Sequence, residues 1–350
     1  MQKYGEEVHD LKFDKDKRSA IKKYILEKID QNVPNLSAHV SEALGVNQST
    51  VYRYLNELLK ANEIEKPEHG RYCLTRHQWN YVLSRKDKEL DSDMYGYSKC
   101  LAEHLSAFSD NIKNIWAYVF SEMINNVIDH SEAEHAYVTV EQDIFHTTVI
   151  LRDDGIGIFE KIRGYFGYDT IEDAIIELFK GKLTTDSRNH SGEGIFFSSR
   201  MMDKFYIVSS GHIFSCNVFD EDSIFRIADG KSPGTTVIMA LSNTSVKTSS
   251  DIFDQYADVD GGFTKTMIPL KNIFDAPPVS RSQAKRLCNR LDCFKEVVLD
   301  FNGLEWMGQG FTHQIFQIFA KDHPQILLKP INMTEKVEKM YRHVMAESRQ

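Results

Sequence analysis

The sequence predicts an α+β protein built from several domains. Three observations carry this expectation. Residues 17–74 hold three short amphipathic helices and then a hairpin. Residues 95–242 combine helical stretches with a series of β-branched strands, and residues 260–350 alternate strand and helix. Such changes of pattern mark separate layered cores, and 350 residues leave room for two or three.

Composition narrows the class. Hydrophobic residues make up 41% and charged residues 27%, the balance of a soluble globular chain. No apolar run approaches the ~18–20 residues of a membrane span, and the first nineteen residues hold no stretch suited to a signal peptide. The expectation is a cytoplasmic protein with no membrane contact. The five cysteines (Cys73, Cys100, Cys216, Cys288, Cys293) are scattered, with no second pair or His cluster to complete a zinc site. The net charge of −9 excludes a protein coated in nucleic acid. Residues 1–86, with 15 Lys/Arg against 12 Asp/Glu, are mildly basic and permit DNA contact there.

In residues 17–30, Ile21, Tyr24, Ile25 and Ile29 form one stripe of a first helix. Residues 35–44 make a short second helix, and Gly45 turns the chain. Residues 48–59 make a third helix, with Asn47 as N-cap and Val51, Leu55, Leu58 and Leu59 on its apolar face. Residues 64–74 read as a hairpin turning at 68–70. Together, residues 1–84 are expected to form a winged helix–turn–helix, and LSAHVSEALGVNQSTVYRYLNELLKANEIEK resembles bacterial winged-helix regulators. The resemblance implies a third helix in the DNA major groove. Gln48, Ser49, Thr50, Tyr52 and Arg53 would face bases or phosphates, and Arg71 in the wing would reach the backbone. The same module also serves dimerisation or protein docking, and the acidic Glu63, Glu65 and Glu68 weigh towards that use.

Residues 85–94, RKDKELDSDM, are expected to be a linker or exposed helix. A helix over 95–118, with Ala102, Leu105, Phe108, Ile112 and Ile115 inwards, leads into SEMINNVIDH at 121–130. There Glu122 and Asn126 lie one turn apart and share a face. Glu, two Asn, Asp and His within nine residues suit a pocket that a ligand completes, because unpaired buried polar groups cost about 1–3 kcal/mol each. Strands are expected at 136–143, 147–152, 205–209, 212–218, 223–227 and 235–241. Two glycine motifs break this region. One is Asp153-Asp154-Gly155-Ile156-Gly157, at the end of an apolar run. The other is Gly192-Glu193-Gly194, at a helix start, where free N–H groups suit an anion.

In order and spacing these motifs resemble the GHKL ATPases, the superfamily of gyrase, Hsp90, MutL and the histidine-kinase catalytic domains. The likeness spans residues 95–242, within an expected domain of 95–246. Its N box is Glu122-x-x-x-Asn126-x-x-Asp129-His130, its G1 box Asp153-x-Gly155-x-Gly157 and its G2 box Gly192-x-Gly194. Gly234-Thr235-Thr236 enters the last strand. The resemblance implies a Bergerat-type sandwich, a mixed sheet covered by helices, that binds ATP and Mg2+. Asp153 would accept the adenine amine, with Gly157 giving the ring room, and Gly155, Ile158 and Thr235 would also bind ATP. Asn126 would ligate magnesium, with Asp129 beside it. Glu122 would orient or deprotonate the nucleophile, Gly192 and Gly194 would offer backbone N–H groups to the phosphates, and Ser191, Glu193 and Ile195 would also bind ATP. The segment 159–191, with a short helix at 170–179, would be the lid. Lys182, Thr184, Thr185 and Arg188 would meet the γ-phosphate, or be plain surface groups.

Residues 260–350 are expected to form a small α/β domain. Strands lie near 262–270, 294–301 and 325–328, and helices at 280–291, 311–319 and 335–345. SRSQAKRL and VVLDFNGLEWMGQGF resemble a STAS-like domain, which implies a protein partner. The functional expectation is an Mg-ATP-binding regulator with slow hydrolysis and lid closure as a switch. One alternative is an anti-sigma-type serine/threonine kinase, and another is a regulator that never turns ATP over. Where STAS-like domains carry an acceptor serine, this chain has Gln309-Gly310, and Thr312 is the nearest hydroxyl. His104, upstream of the N box, lacks the surroundings of a phosphoacceptor.

Overall fold

Amphipathic spacing folds the first part of the chain into three helices: α1 (Lys15–Asp30), α2 (Leu36–Leu44) and α3 (Gln48–Lys60). An antiparallel ribbon follows, β1 (Ile64–Glu68) on β2 (Arg71–Leu74), in the register Ile64↔Leu74 and Glu65↔Cys73. Ile25, Val40, Val51, Leu55 and Leu58 make its core, each worth about 1.5–3 kcal/mol of burial. Gly45 closes α2 at φ 61°, a left-handed turn that glycine adopts freely. Asn47 stands at the N-cap of α3 but makes no side-chain cap bond. This computed structural model describes residues 15–68, 71–183, 192–217, 221–228, 233–258, 262–274 and 276–347, so the expected turn at 68–70 falls mostly outside it. The chain divides into two units, one running to His77 and including Glu141–Phe145, the other holding the rest.

The second unit centres on a six-stranded sheet in the order β3-β4-β5-β8-β6-β7. Its elements are β3 (His77–Ser84), α4 (Asp93–Cys100), α5 (Asp110–His130), β4 (His135–Gln142), β5 (His146–Asp153), α6 (Ile158–Phe166), α7 (Ile171–Lys180), α8 (Gly194–Met201), β6 (Lys204–Ser209), β7 (His212–Phe214), α9 (Glu221–Ile227) and β8 (Thr235–Ser242). β8 runs antiparallel to both β5 and β6, pairing Leu151↔Val237 and Ile207↔Val237. These residues meet Ile115, Trp116, Val119 and Met123 of α5 and Phe196 of α8 in one core. The opposite face carries Tyr206, Val208 and Ile238 against Ile224 and Ala228 of α9 and the segment after it.

Two expectations are corrected. Residues 223–227 are not a strand but part of α9. Five residues of SIFRI do not separate the two periods, and the face holding Ile224 and Ala228 covers the sheet. The single helix over 95–118 is two helices. The chain turns through residues 101–109 while Leu101 and Leu105 stay fully buried, and α5 restarts after Ser109 with Asp110 in its first turn. Two elements were not anticipated, the sheet strand β3 and helix α6 within the expected lid. Residues 85–92 are turns with Leu90 buried.

After α10 (Ser249–Tyr256) comes a three-stranded parallel sheet, β11-β10-β9. It contains β9 (Lys265–Pro269), α11 (Leu270–Ile273), α12 (Arg281–Cys288) and β10 (Glu296–Asp300). Then follow α13 (Gln309–His313), which continues through a π turn at Gln314–Phe319 into α14 (Ala320–Asp322), then β11 (Leu327–Ile331) and α15 (Glu335–Glu347). Ser280 and Gln283 form a capping box at the start of α12, satisfying two helix-end donors. The apolar side chains of this sheet share one core with the six-stranded sheet. No helix among the described residues is long and apolar enough to cross a membrane.

Candidate active site

The C-terminal half of α5 is the floor of the site. Its end is pinned twice. Arg85 donates to the carbonyls of Ile128 (3.1 Å) and Ala133 (2.9 Å), and the buried Ser131 hydroxyl donates to the Val127 carbonyl (2.7 Å). The bond to Ile128 serves a carbonyl that the helix end leaves open. Met123 and Val127 turn into the core, which sets Glu122 and Asn126 towards a cavity of about 230 Å³. That cavity is also lined by Asp153, Gly157, Ile158, Gly192, Gly194, Ile195 and Thr235. Four segments, spread from Glu122 to Thr235 along the chain, thus meet in one place.

The turn after β5 divides its two aspartates. Asp154 faces away. Its carboxylate accepts from the backbone N–H groups of Glu134 and His135, both at 2.9 Å, and pairs with the His135 ring at 2.9 Å. Asp153 faces the cavity, only 3% exposed. Gly155 N–H donates to its Oδ1 at 2.9 Å, and Thr235 also bonds the carboxylate. Burial pushes the Asp153 carboxyl up to about 6, against the pull of those hydrogen bonds. Thr235 Oγ1 in turn accepts from Ile158 N–H at 3.0 Å, which fixes the start of α6.

The glycines have different reasons. Gly155 does not line the cavity; a Cβ there would collide with the Ser131 carbonyl. Gly157 sits at φ 84°, with Ser209 beside it. A Cβ on Gly194, at the start of α8, would collide with the Glu122 carboxylate. That carboxylate therefore lies directly against the first turn of a helix, where N–H groups are open.

Several expected site residues lie elsewhere. Asp129 is exposed and does not line the cavity, and neither does Glu193, at the N-cap of α8. Lys182 turns away: its ammonium donates to the Cys293 carbonyl at 3.1 Å and lies over the Phe263 and Phe294 rings. Thr184, Thr185, Arg188 and Ser191 fall outside the described residues. His130 of the N box lines the cavity too, and so do Ser131, Lys161, Leu178, Gly181 and Leu183, which motif spacing did not point to. Lys161 is three residues past Ile158, on the inward stripe of a helix that glycines had disguised, and pairs with Glu132 at 3.1 Å.

Two acceptor candidates are occupied. Tyr81 hydroxyl and His104 Nε2 lie 2.7 Å apart, and Trp79 stacks on the ring at 4.0 Å; burial holds the His104 imidazole below its usual range. Thr312 is fully buried, its hydroxyl donating to the Gly308 carbonyl at 2.9 Å. In the first unit, Gln48, Ser49, Tyr52, Arg53 and Arg71 are exposed and Thr50 is half-buried.

The profile of the histidine kinase-, DNA gyrase B- and HSP90-like ATPases matches residues 113–245, and that of a STAS-like domain of unknown function matches residues 283–338. No curated protein matches the chain. The chain thus carries a GHKL-class ATP-binding domain followed by a STAS-like domain. The GHKL class binds ATP, generally with Mg2+.

The donor set fits that ligand. The Asn126 amide oxygen takes no hydrogen bond from the described residues, while its nitrogen touches only the Met123 sulfur at 4.0 Å. No cluster of three His, Cys, Asp or Glu side chains able to hold a metal occurs among the described residues. Magnesium takes few protein ligands and keeps phosphate and water, so a single amide oxygen suits it.

Proposed function

We propose that this chain is an Mg-ATP-dependent regulator that hydrolyses ATP slowly. The observation that supports it most is the convergence of Glu122, Asn126, Asp153, Gly157 and Gly194 on one cavity. Asp153 offers a buried acceptor to the adenine amine, and Gly157 leaves room for the ring. Gly192 and Gly194 turn backbone N–H groups towards phosphate at the head of α8. Asn126 presents its amide oxygen to magnesium, which when bound neutralises charge on phosphate oxygens. Glu122, one turn away, orients the attacking water and takes its proton. Ile158, Ile195 and Thr235 complete the cavity wall. Closure of the segment 159–191 over the nucleotide would act as the switch.

Magnesium-dependent binding of a non-hydrolysable ATP analogue, read by titration calorimetry, tests the site. Glu122→Gln should keep that binding within about threefold and lower hydrolysis about 10²–10⁴-fold. Hydrolysis unchanged in Glu122→Gln would remove it from the chemistry.

A kinase reading has one supporting observation, the fused STAS-like domain. The burial of Thr312 argues against phosphorylation of this chain at that position, so the acceptor would be on a partner. Labelled ATP separates the two: free phosphate alone favours hydrolysis, labelled protein favours a kinase. We further assign α1–β2 as a winged helix. The exposed Gln48, Ser49, Tyr52 and Arg53 on α3, with Thr50 and Arg71, support DNA contact.

A further inference from the structure

One wall of the cavity comes from outside the ATPase motifs. Leu178, Gly181 and Leu183 form it, at and just beyond the end of α7. The chain leaves α7 through Gly181 at φ 80° and Lys182 at φ 55°. Glycine is required at the first position, since a Cβ there would press on Phe196 and Phe263 at about 3 Å. Lys182 has no such licence. L-residues other than glycine seldom stay left-handed unless the surroundings hold them there.

The surroundings are the STAS-like domain. Arg290 Nη2 donates to the Lys182 carbonyl at 3.2 Å, and the Lys182 ammonium donates to the Cys293 carbonyl at 3.1 Å. The same Arg290 lies 3.6 Å from the Glu177 carboxylate and over the Phe166 ring at 4.7 Å. Two residues before Lys182, the buried Lys180 ammonium donates to Glu177 (2.6 Å) and to the Asn289 (2.7 Å) and Arg286 (3.1 Å) carbonyls at the end of α12. Thr266 of β9 donates to the Lys180 carbonyl at 2.7 Å, and Arg286 pairs with Asp173 at 3.3 Å. Every anchor on residues 166–182 named here except the Lys180–Glu177 bond therefore comes from residues 266–293. Arg290 touches a carboxylate, a ring and the left-handed carbonyl together.

We propose that Arg290 is a positioning residue for the nucleotide site: from the STAS-like domain it fixes the left-handed turn at Lys182 and thereby sets the Gly181–Leu183 wall of the cavity. Arg290 is half-exposed and lines no part of the cavity, so it acts only through the turn. The link to affinity rests on the ATP reading of the cavity; the link to the turn does not.

The test uses the full chain with Arg290→Ala and Arg290→Lys. Amide hydrogen exchange over residues 171–183 without nucleotide is the first readout, and affinity for a non-hydrolysable ATP analogue is the second. Arg290→Ala should speed exchange there about tenfold and weaken the analogue about tenfold. Arg290→Lys, which keeps the charge beside Glu177 but loses the fork, should fall between. In a Lys182→Gly background the turn needs no holding, so Arg290→Ala should change exchange and affinity less. Exchange unchanged in Arg290→Ala overturns the proposal whether or not nucleotide binds. Faster exchange with undiminished affinity overturns the link to the cavity. An unaltered chain that binds no analogue refutes the ATP reading instead, and the exchange result still decides the turn. Should Arg290→Ala fail to fold, Arg290→Lys with the Lys182→Gly pair carries the same comparison.

Discussion

Burial of Asp153 favours its neutral form. Its carboxyl titrates at about 6 in the fold, against a usual value of 3.8. The folded chain therefore binds more protons between those values. The contribution of Asp153 to stability is fully present below about pH 4 and is lost as pH rises through about 6. Asp153→Asn, which cannot ionise, should flatten that slope. Thermal melts of both proteins from pH 4 to 8 should show the substituted chain no less stable at pH 7.5. The same substitution places an amide where the adenine amine needs an acceptor, so analogue binding should fall at least about 100-fold. In the unaltered chain, affinity should rise as pH increases through about 6. Loss of binding with a raised or equal Tm is the signature of a functional carboxylate, since removing a purely structural one lowers Tm.

At the scale of elements, the site depends on how closely α8 approaches α5. Gly194→Ala would drive a methyl group into the Glu122 carboxylate, so the helix or the acid must move. Binding and turnover should both collapse in a chain that still folds. Gly155→Ala meets the Ser131 carbonyl instead, and the turn should lose stability, by about 1–3 kcal/mol in a denaturant melt. Which of these glycines faces the ligand could not be read from the motif, since both stand in Gly-x-Gly pairs. The sequence made α5 and the glycine turns legible because polar groups interrupt otherwise apolar periods there. It hid α6, since Gly164 lies inside the helix and Gly167 ends it, at φ 67°. It hid β3, whose HQWNYVLS buries only Leu83 fully. The turn of Lys182 towards Phe263 and Phe294 was beyond reach, since it depends on residues more than eighty positions later.

For the whole molecule, net charge and its distribution govern partners. A chain of net charge −9 will not hold DNA through general attraction, so binding must come from few cations. If the first unit contacts DNA, the logarithm of affinity should fall with the logarithm of salt with a shallow slope. Arg53→Ala and Arg71→Ala should each reduce that slope by about one in fluorescence titrations, and slopes unaltered in both would leave the unit as a protein-docking module. The buried Lys180 has a practical consequence for anyone dissecting the chain. A fragment cut at residue 246, the natural stop for an excised ATPase, would strip its ammonium of the Arg286 and Asn289 carbonyls. Hydration and a reshaped rim would follow, and inhibitors selected on that fragment would be fitted to a contour absent from the intact protein.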